Sequence, residues 1–511
     1  MRLQRLTKEN AECIKGKEIY CVGSTESYIR ELCDIYHVRG NIVCVVDRNV
    51  RNRTGIYVDG VEIPVREAAC FAGEELSGKA LIITDDYYKE KFQLVCEVMC
   101  TKQPDMTIYY LANKETEYEE SYRNRYKDVP LENIIVFRSG PHASSYVKGM
   151  DFADNARALF EYLLENGYNK KYELVWLVKN PSEFERYHET PNVSFLSFDW
   201  SVSEKKEEMD SYYRALCLAK YIFFTDAYGF ARNCRDDQIR VQLWHGCGFK
   251  TRVNFVRCEK RYEYTTVISD LYSKIHQDIY GLREDQMLVT GYAKQDWLFR
   301  PVDGWQEKLG VPKAGKYIFW LPTFRSAKEQ LQNLNEYDLG GQIGLPIVNT
   351  YGALEELNSL LAEKGIVLLI KLHPFQDKEK IGRIELNHIV MLDNEQLVEA
   401  DIPVNRLLGD ADALISDYSS AAVDYMLLDR PMAFTLDDVE EYEQSRGFVF
   451  ENIKEQLPGK EVYSFEDLCG FVREIGEGVD SVSVKRRQLI NVMHKYQDDH
   501  NCRRIAEILK I

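Results

Sequence analysis

One repeating unit limits what this chain can fold into: a short apolar run, a polar residue where it ends, then a stretch with helical periodicity. Its clearest copy runs from Ala413 to Phe434, ALISDYSSAAVDYMLLDRPMAF. Ala413 to Ser416 has the length of a buried strand. Asp417, Tyr418, Ser419 and Ser420 follow at once. Ala421 to Leu428 then sets Ala422, Tyr425 and Met426 on one helical face, and Pro431 stops it. Such a strand, turn and helix aims backbone N–H groups and the positive end of a helix at whatever lies beyond the strand. Two serine hydroxyls there suit a phosphate. The plainer alternative is that Asp417 and Ser419 only cap the helix.

The unit recurs along the whole chain. Strands are expected at Glu18 to Val22, Asn41 to Val46, Ala80 to Thr84 and Met106 to Leu111, with helices at Ser24 to Tyr36 and Tyr87 to Cys100. After a charged stretch and Pro130, strands are expected at Asn133 to Phe137, Tyr172 to Val178, near Val193, and at Tyr221 to Thr225. Arg240 to Leu243, Thr265 to Ile268 and Met287 to Thr290 complete that series, and Tyr317 to Leu321 and Ile366 to Leu372 open a third. Strands alternating with helices at this spacing imply parallel sheets. The expected division is 1–115, a linker at 116–130, then 131–300 and 301–511, with a polar loop from Ser326 to Asn349 over a cleft. Gly23 followed by Ser24-Thr25-Glu26-Ser27 lacks the later glycines of a dinucleotide fingerprint, so the first unit reads as cofactor site or as scaffold.

Composition excludes several functions. The net charge of -17 argues against a nucleic-acid binder. Thirteen cysteines, an odd count without any CxxC pair, read as reduced thiols in a cytoplasm rather than disulfides or a zinc site. No apolar run is long enough to cross a bilayer, which leaves peripheral membrane contact and self-association open. No Walker loop and no GxSxG elbow occurs.

In open α/β sheets, ligand groups gather at the C-terminal ends of strands. That rule selects Asp226, His245, Arg325, His373 and Asp417. His245, ahead of the flexible Gly246, has the chemistry of a general base; equally, it and His373 could be histidines satisfied by backbone carbonyls. Arg325 could fork onto a phosphate or sit in a surface ion pair. Asp410-Ala411-Asp412 imitates a metal-binding DxD but precedes its strand, at the wrong edge of the sheet. Asp236-Asp237 and Asp437-Asp438 read as solvated loop charges.

Taken in order, several stretches resemble the bacterial CDP-glycerol glycerophosphotransferases of teichoic acid synthesis and their CDP-ribitol-using relatives. These are Phe137-Arg138-Ser139-Gly140 with Asp154-Asn155-Ala156-Arg157-Ala158-Leu159, Gln242-Leu243-Trp244-His245-Gly246, and Gly291-Tyr292-Ala293-Lys294-Gln295-Asp296. Leu321-Pro322-Thr323-Phe324-Arg325, Leu372-His373-Pro374, Ile415 to Ser420 with Asp424 and Arg430-Pro431-Met432, and Arg446-Gly447-Phe448 continue the series. Cys247-Gly248 stands where the family usually has Thr-Pro, and Lys294-Gln295 where it has Arg and Asn. The resemblance covers about 129 to 500. It implies an α/β, GT-B-like pair of Rossmann-like domains facing a cleft, preceded by an extra small Rossmann-like domain. It further implies transfer of a polyol phosphate, glycerol phosphate foremost, from a CDP-linked donor to an acceptor hydroxyl, with release of CMP. In that reading His245 and His373 are catalytic, and Thr323, Arg325, Asp417, Ser419, Ser420 and Asp424 bind the donor. Gly140, Asp154, Asn155 and Gly246 line the acceptor side. No metal or cofactor is called for, and the acceptor is a polyol phosphate or glycan-lipid met at the inner face of the cell membrane. The rivals are a GT-B glycosyltransferase or epimerase using a nucleotide sugar, and a non-catalytic recruiting module.

Overall fold

The computed structural model describes the chain except for residues 24, 48–54, 59, 68–69, 72–74, 86–87, 100–104, 113, 141–148, 199–205, 226–233, 251–261, 323–344, 372–385 and 446. Among the described residues are three sheets in two compact units. The first unit is Met1–Asp128 with Arg232–Arg235, and the second is Val129–Ala231 with Asp236–Ile511.

The first unit holds β1 (Arg2–Arg5), β2 (Ile19–Val22), β3 (Ile42–Val46), β4 (Gly55–Val58), β5 (Val61–Arg66), β6 (Ala80–Ile83) and β7 (Thr107–Tyr110), in the order β1-β7-β6-β2-β3-β5-β4. All pairings are parallel save the β4–β5 hairpin. β2 and β6 are buried along their whole length, as a sheet covered on both faces requires. Alternate residues feed two cores: Ile19 and Cys21 pack with Ile29 and Leu32 on one face, while Tyr20 and Val22 pack with Phe71 and Leu81 on the other. Lys114–Tyr126, in the charged stretch before Pro130, is a helix belonging to this unit. Tyr122 is buried, and Glu120 accepts hydrogen bonds from the hydroxyls of Tyr88 (2.8 Å) and Tyr110 (3.2 Å). β1, RLQR, is too polar to read as a strand from the sequence, and the β4–β5 hairpin, GIYV and VEIPVR, was not expected either.

The second unit contains two parallel sheets. One comprises β8 (Glu132–Ser139), β9 (Glu173–Val178), β10 (Val193–Ser197), β11 (Ala219–Thr225), β12 (Ile239–Gln242), β13 (Tyr264–Val267) and β14 (Met287–Val289), ordered β10-β9-β8-β11-β12-β13-β14. The other comprises β15 (Lys316–Trp320), β16 (Ile366–Lys371), β17 (Ile389–Leu392), β18 (Ala413–Ser416), β19 (Met432–Thr435) and β20 (Lys460–Val462), ordered β17-β16-β15-β18-β19-β20. Each sheet starts in its middle, adds two strands on one side, then returns to build the other. This is the doubly wound order of a Rossmann-like domain, with its crevice where the direction of addition reverses. The fold is thus α/β, a GT-B-like pair preceded by a further small α/β domain.

The final helix, Asn501–Leu509, packs Cys502, Ile505, Ala506 and Leu509 into the core of the β8–β14 sheet. Its apolar residues fall at i, i+3, i+4 and i+7, one stripe of a helix. That stripe finds its partner in the first half, not the second.

Candidate functional site

β12 ends at Gln242, and the chain then turns sharply through Leu243, Trp244, His245 and Gly246. Trp244 takes a left-handed backbone with φ 54°, uncommon for a bulky residue. The surroundings hold it there. Its backbone N–H donates to Gln242 Oε1 (3.0 Å), and Asn155 Nδ2 donates to the carbonyls of Leu243 (3.1 Å) and Trp244 (2.8 Å). Its indole N–H donates to His276 Nδ1 at 2.9 Å, which fixes His276 as the tautomer protonated on Nε2. The other His276 nitrogen lies 3.4 Å from Cys247 Sγ, and Cys247 lies 2.9 Å from the Tyr292 hydroxyl. Burial pushes the Cys247 thiol up, so this sulfur is an inert packing group rather than a nucleophile.

His245 is half-buried at this turn, and the glycine after it faces the other sheet. There β18 ends at Ser416 and leads through Asp417 and Tyr418 into the helix Ser420–Tyr425. The two meet at glycine: a Cβ on Gly246 would lie 2.6 Å from Ser420 Oγ, and one on Gly248 would lie 3.4 Å from Ser420 Cβ. Beyond them Val449 N donates to the Phe249 carbonyl (2.9 Å), and Lys250 pairs with Phe448 in a bridge. The strand ends of both halves therefore converge on one place, where the glycine that follows His245 meets Ser420.

Below this contact lies a charged knot. The Lys294 ammonium, 9 % exposed, donates to the His245 carbonyl and lies 3.1 Å from Asp154 Oδ1 and 3.8 Å from Asp424 Oδ2. Gln295 Nε2 donates to Asp424 Oδ1 at 2.7 Å. Burial disfavours the Lys294 charge, but Asp154 and Asp424 outweigh burial and hold the ammonium above its usual value. Burial raises both carboxyls, and Lys294 offsets part of that rise in each.

Asp417 and Asp424, both expected to bind the donor, are 0 % and 1 % exposed, and Asp424 is held by Lys294 and Gln295. Ser419 does cap its helix, accepting from Ala421 N at 3.4 Å, while Ser420 faces Gly246. Asn155, expected on the acceptor side, is fully buried and clamps the Trp244 turn. Gly140 is needed where the chain crosses itself, since a Cβ there would lie 2.7 Å from the Met150 carbonyl oxygen. Asp154 opens the helix Asp154–Glu165 as its first residue and pairs with Lys294 rather than capping through its side chain. Asp438, read as a solvated charge, is buried and accepts from the Tyr418 hydroxyl at 3.1 Å. The DxD look-alike is structural, as its position implied: Asp410 accepts from Trp305 Nε1 and Asp412 from Tyr317 N. Thr323, Arg325, His373, Asp226 and most of the polar loop after Ser326 lie outside the described residues.

Sequence reasoning missed the roles of Lys294, Gln242, His276 and Tyr292. Only Lys294 left a signal, as a charge amid the apolar residues that follow β14. Lys371, the last residue of β16, was also missed; burial lowers its ammonium to about 8, offset in part by Asp393. Among the described residues no group of three His, Cys, Asp or Glu side chains could hold a metal ion, and no helix is long and apolar enough to cross a membrane.

This geometry has relatives. Teichoic acid ribitol-phosphate polymerase TarK of Staphylococcus aureus is 25% identical over 335 residues, 61% of each chain. Teichoic acid glycerol-phosphate transferase of the same organism is 23% identical over 407 residues, 75% of this chain and 94% of that one. Teichoic acid glycerol-phosphate primase of Bacillus subtilis is 26% identical over 350 residues, covering 63% of this chain and 82% of the relative. The match thus spans 61% of the length of TarK and 55% of that of a second S. aureus ribitol-phosphate polymerase, TarL. A solved structure of the wall teichoic acid polymerase TagF superposes with a TM-score of 0.56 at 19% identity, over 83% of this chain and 97% of that one, a likeness of fold. The model of the CDP-Glycerol:Poly(glycerophosphate) glycerophosphotransferase family matches residues 132–510, which takes in both sheets of the second unit, the His245 turn and the Ser419-Ser420 turn, and the chain belongs to that family.

Proposed function

We propose that this chain transfers a polyol phosphate, glycerol phosphate first, from a CDP-linked donor to an acceptor hydroxyl. The observation that supports the reading is the contact of Gly246, the residue after His245, with Ser420 at the other strand end. The acceptor oxygen attacks the phosphorus bearing the polyol. The bond from that phosphorus to the bridging oxygen of CDP breaks, CMP departs with the bond electrons, and the acceptor proton passes to His245. One P–O bond replaces another, so the step calls for no redox cofactor. The Ser419 and Ser420 hydroxyls would donate to the pyrophosphate and to the charge that grows on CMP. The names of the relatives, which include glycerol-phosphate and ribitol-phosphate enzymes, support a CDP-polyol donor. We take the acceptor to be a polyol phosphate or glycan-lipid reached from the inner face of a membrane.

A donor panel tests the reading. Purified protein is incubated with CDP-glycerol, CDP-ribitol, UDP-glucose and UDP-N-acetylglucosamine, and the released nucleotide is identified by mass. CMP from a CDP-polyol is expected. UDP release from a sugar nucleotide, with both CDP-polyols inert, would overturn it in favour of a glycosyltransferase.

A further inference from the structure

Lys294 lies in the turn after β14, three residues beyond Gly291, within a stretch whose side chains are otherwise packed inside. Its backbone N–H donates to Asn155 Oδ1 at 3.0 Å, so the residue is fixed at both ends. Its ammonium then makes three contacts that belong to three different places. Asp154 opens a helix of the first half, Asp424 lies on the helix behind Ser420 in the second, and the third contact is the carbonyl of His245. Gln295 repeats the crossing by donating to Asp424, while its Oε1 accepts from Tyr292 N at 3.0 Å. A buried ammonium is held only where such partners satisfy it. Asp424 is 1 % exposed and would be an uncompensated charge if Lys294 were neutral.

We propose that Lys294 is a positioning residue for the transfer step, its ammonium fixing the main chain of the His245 turn against the helix that carries Ser420. The inference rests on the transfer reading of this site. Trp244 already holds a left-handed backbone, so the His245 peptide has alternatives of lower strain to relax into. The Lys294 contact opposes that relaxation. Misplacing a reacting group by about 1 Å can cost about a hundredfold in rate. The partners of this ammonium are protein groups, and its effect passes through the His245 carbonyl.

The test compares Lys294→Met, Lys294→Arg and the double variant Lys294→Met with Asp424→Asn, which removes the buried carboxylate that Met would strand. Donor affinity is measured by calorimetry with CDP-glycerol, and kcat and KM by CMP release. Lys294→Met is expected to lower kcat about 30- to 100-fold while donor Kd moves less than about threefold. Lys294→Arg should recover most of the rate, because a guanidinium can span the same three acceptors. The double variant should fold and remain slow. Wild-type kcat in Lys294→Met, a fall in donor affinity equal to the fall in rate, or full kcat in the double variant would each overturn the proposal while leaving the transfer reading intact. Wild-type protein that releases no CMP from CDP-glycerol or CDP-ribitol would overturn the transfer reading and this proposal with it.

Discussion

Gly246 shows how one residue can decide whether two halves of a site meet. Its φ of 157° lies near the edge of what L side chains adopt, and a methyl group at its Cα would sit 2.6 Å from Ser420 Oγ. Either the serine rotates away or the two strand ends part. Overpacking of this kind costs about 1–3 kcal/mol. Gly246→Ala is therefore expected to lower thermal stability modestly and to cut transfer by at least about tenfold, read by calorimetric melting and CMP release. Unchanged transfer would show that the close Gly246–Ser420 approach is not needed. Asn155 acts at the same scale in another way. Its amide gives two hydrogen bonds to the carbonyls of Leu243 and Trp244 and takes one from Lys294 N, so a side chain that reads as an acceptor contact in the sequence is spent on the turn itself.

At the scale of elements, the closing helices tie the second unit together. The helix Ser483–Met493 ends at His494, whose Nε2–H donates to the Val423 carbonyl at 2.8 Å, on the helix that begins at Ser420. Burial lowers the His494 imidazole to about 4 from an ordinary 6.5. The unfolded chain then takes up the proton first as pH falls. The contribution is fully present above pH 6.5 and is lost progressively toward pH 4, by about 1.4 kcal/mol for each unit of difference between the two states. His494→Gln keeps an N–H donor without the titration. Between pH 7 and 4.5 the wild type should lose about 2–3 kcal/mol more than the variant in denaturant melts; parallel losses would contradict this. The last helix is tied similarly, its N–H groups at Asn501 and Cys502 each donating to Asp296 at 2.9 Å. Most strands in both sheets of this unit were legible in the sequence because they are unbroken apolar runs ended by a polar residue, as at Ile366–Lys371. The helix after Ser419 was legible too, though its last turn, Met426–Leu428, tightens to a 3-10 form ahead of Pro431. The interior destinations of Asp417, Asp424 and Asp438 were not, because a carboxylate in the turn or helix after a strand looks the same whether it meets ligand or a buried lysine, amide or tyrosine. Lys294 and Asp424 lie 130 residues apart, and no local pattern joins them.

For the second unit as a whole, the relevant energies separate the contacts that hold its halves together from those that merely occur there. Asp401 pairs with Arg157 (2.7 Å) and Arg186 (2.6 Å), and Arg406 with Glu161 (3.0 Å). Such partly exposed pairs contribute little each, about 0–1 kcal/mol. The docking of Cys502, Ile505 and Leu509 buries full side chains, each worth about 1.5–3 kcal/mol, and so outweighs them. The returning helix supplies the grip, and Gly246 and Ser420 are left in contact at the strand ends. The most direct test is single-turnover transfer by His245→Ala with CDP-glycerol, with donor affinity measured alongside. The expected result is a loss of about 10²- to 10⁴-fold in rate with donor Kd nearly unchanged. Transfer at the wild-type rate in His245→Ala would contradict the assignment of His245 as the base and, with it, the reading of this site.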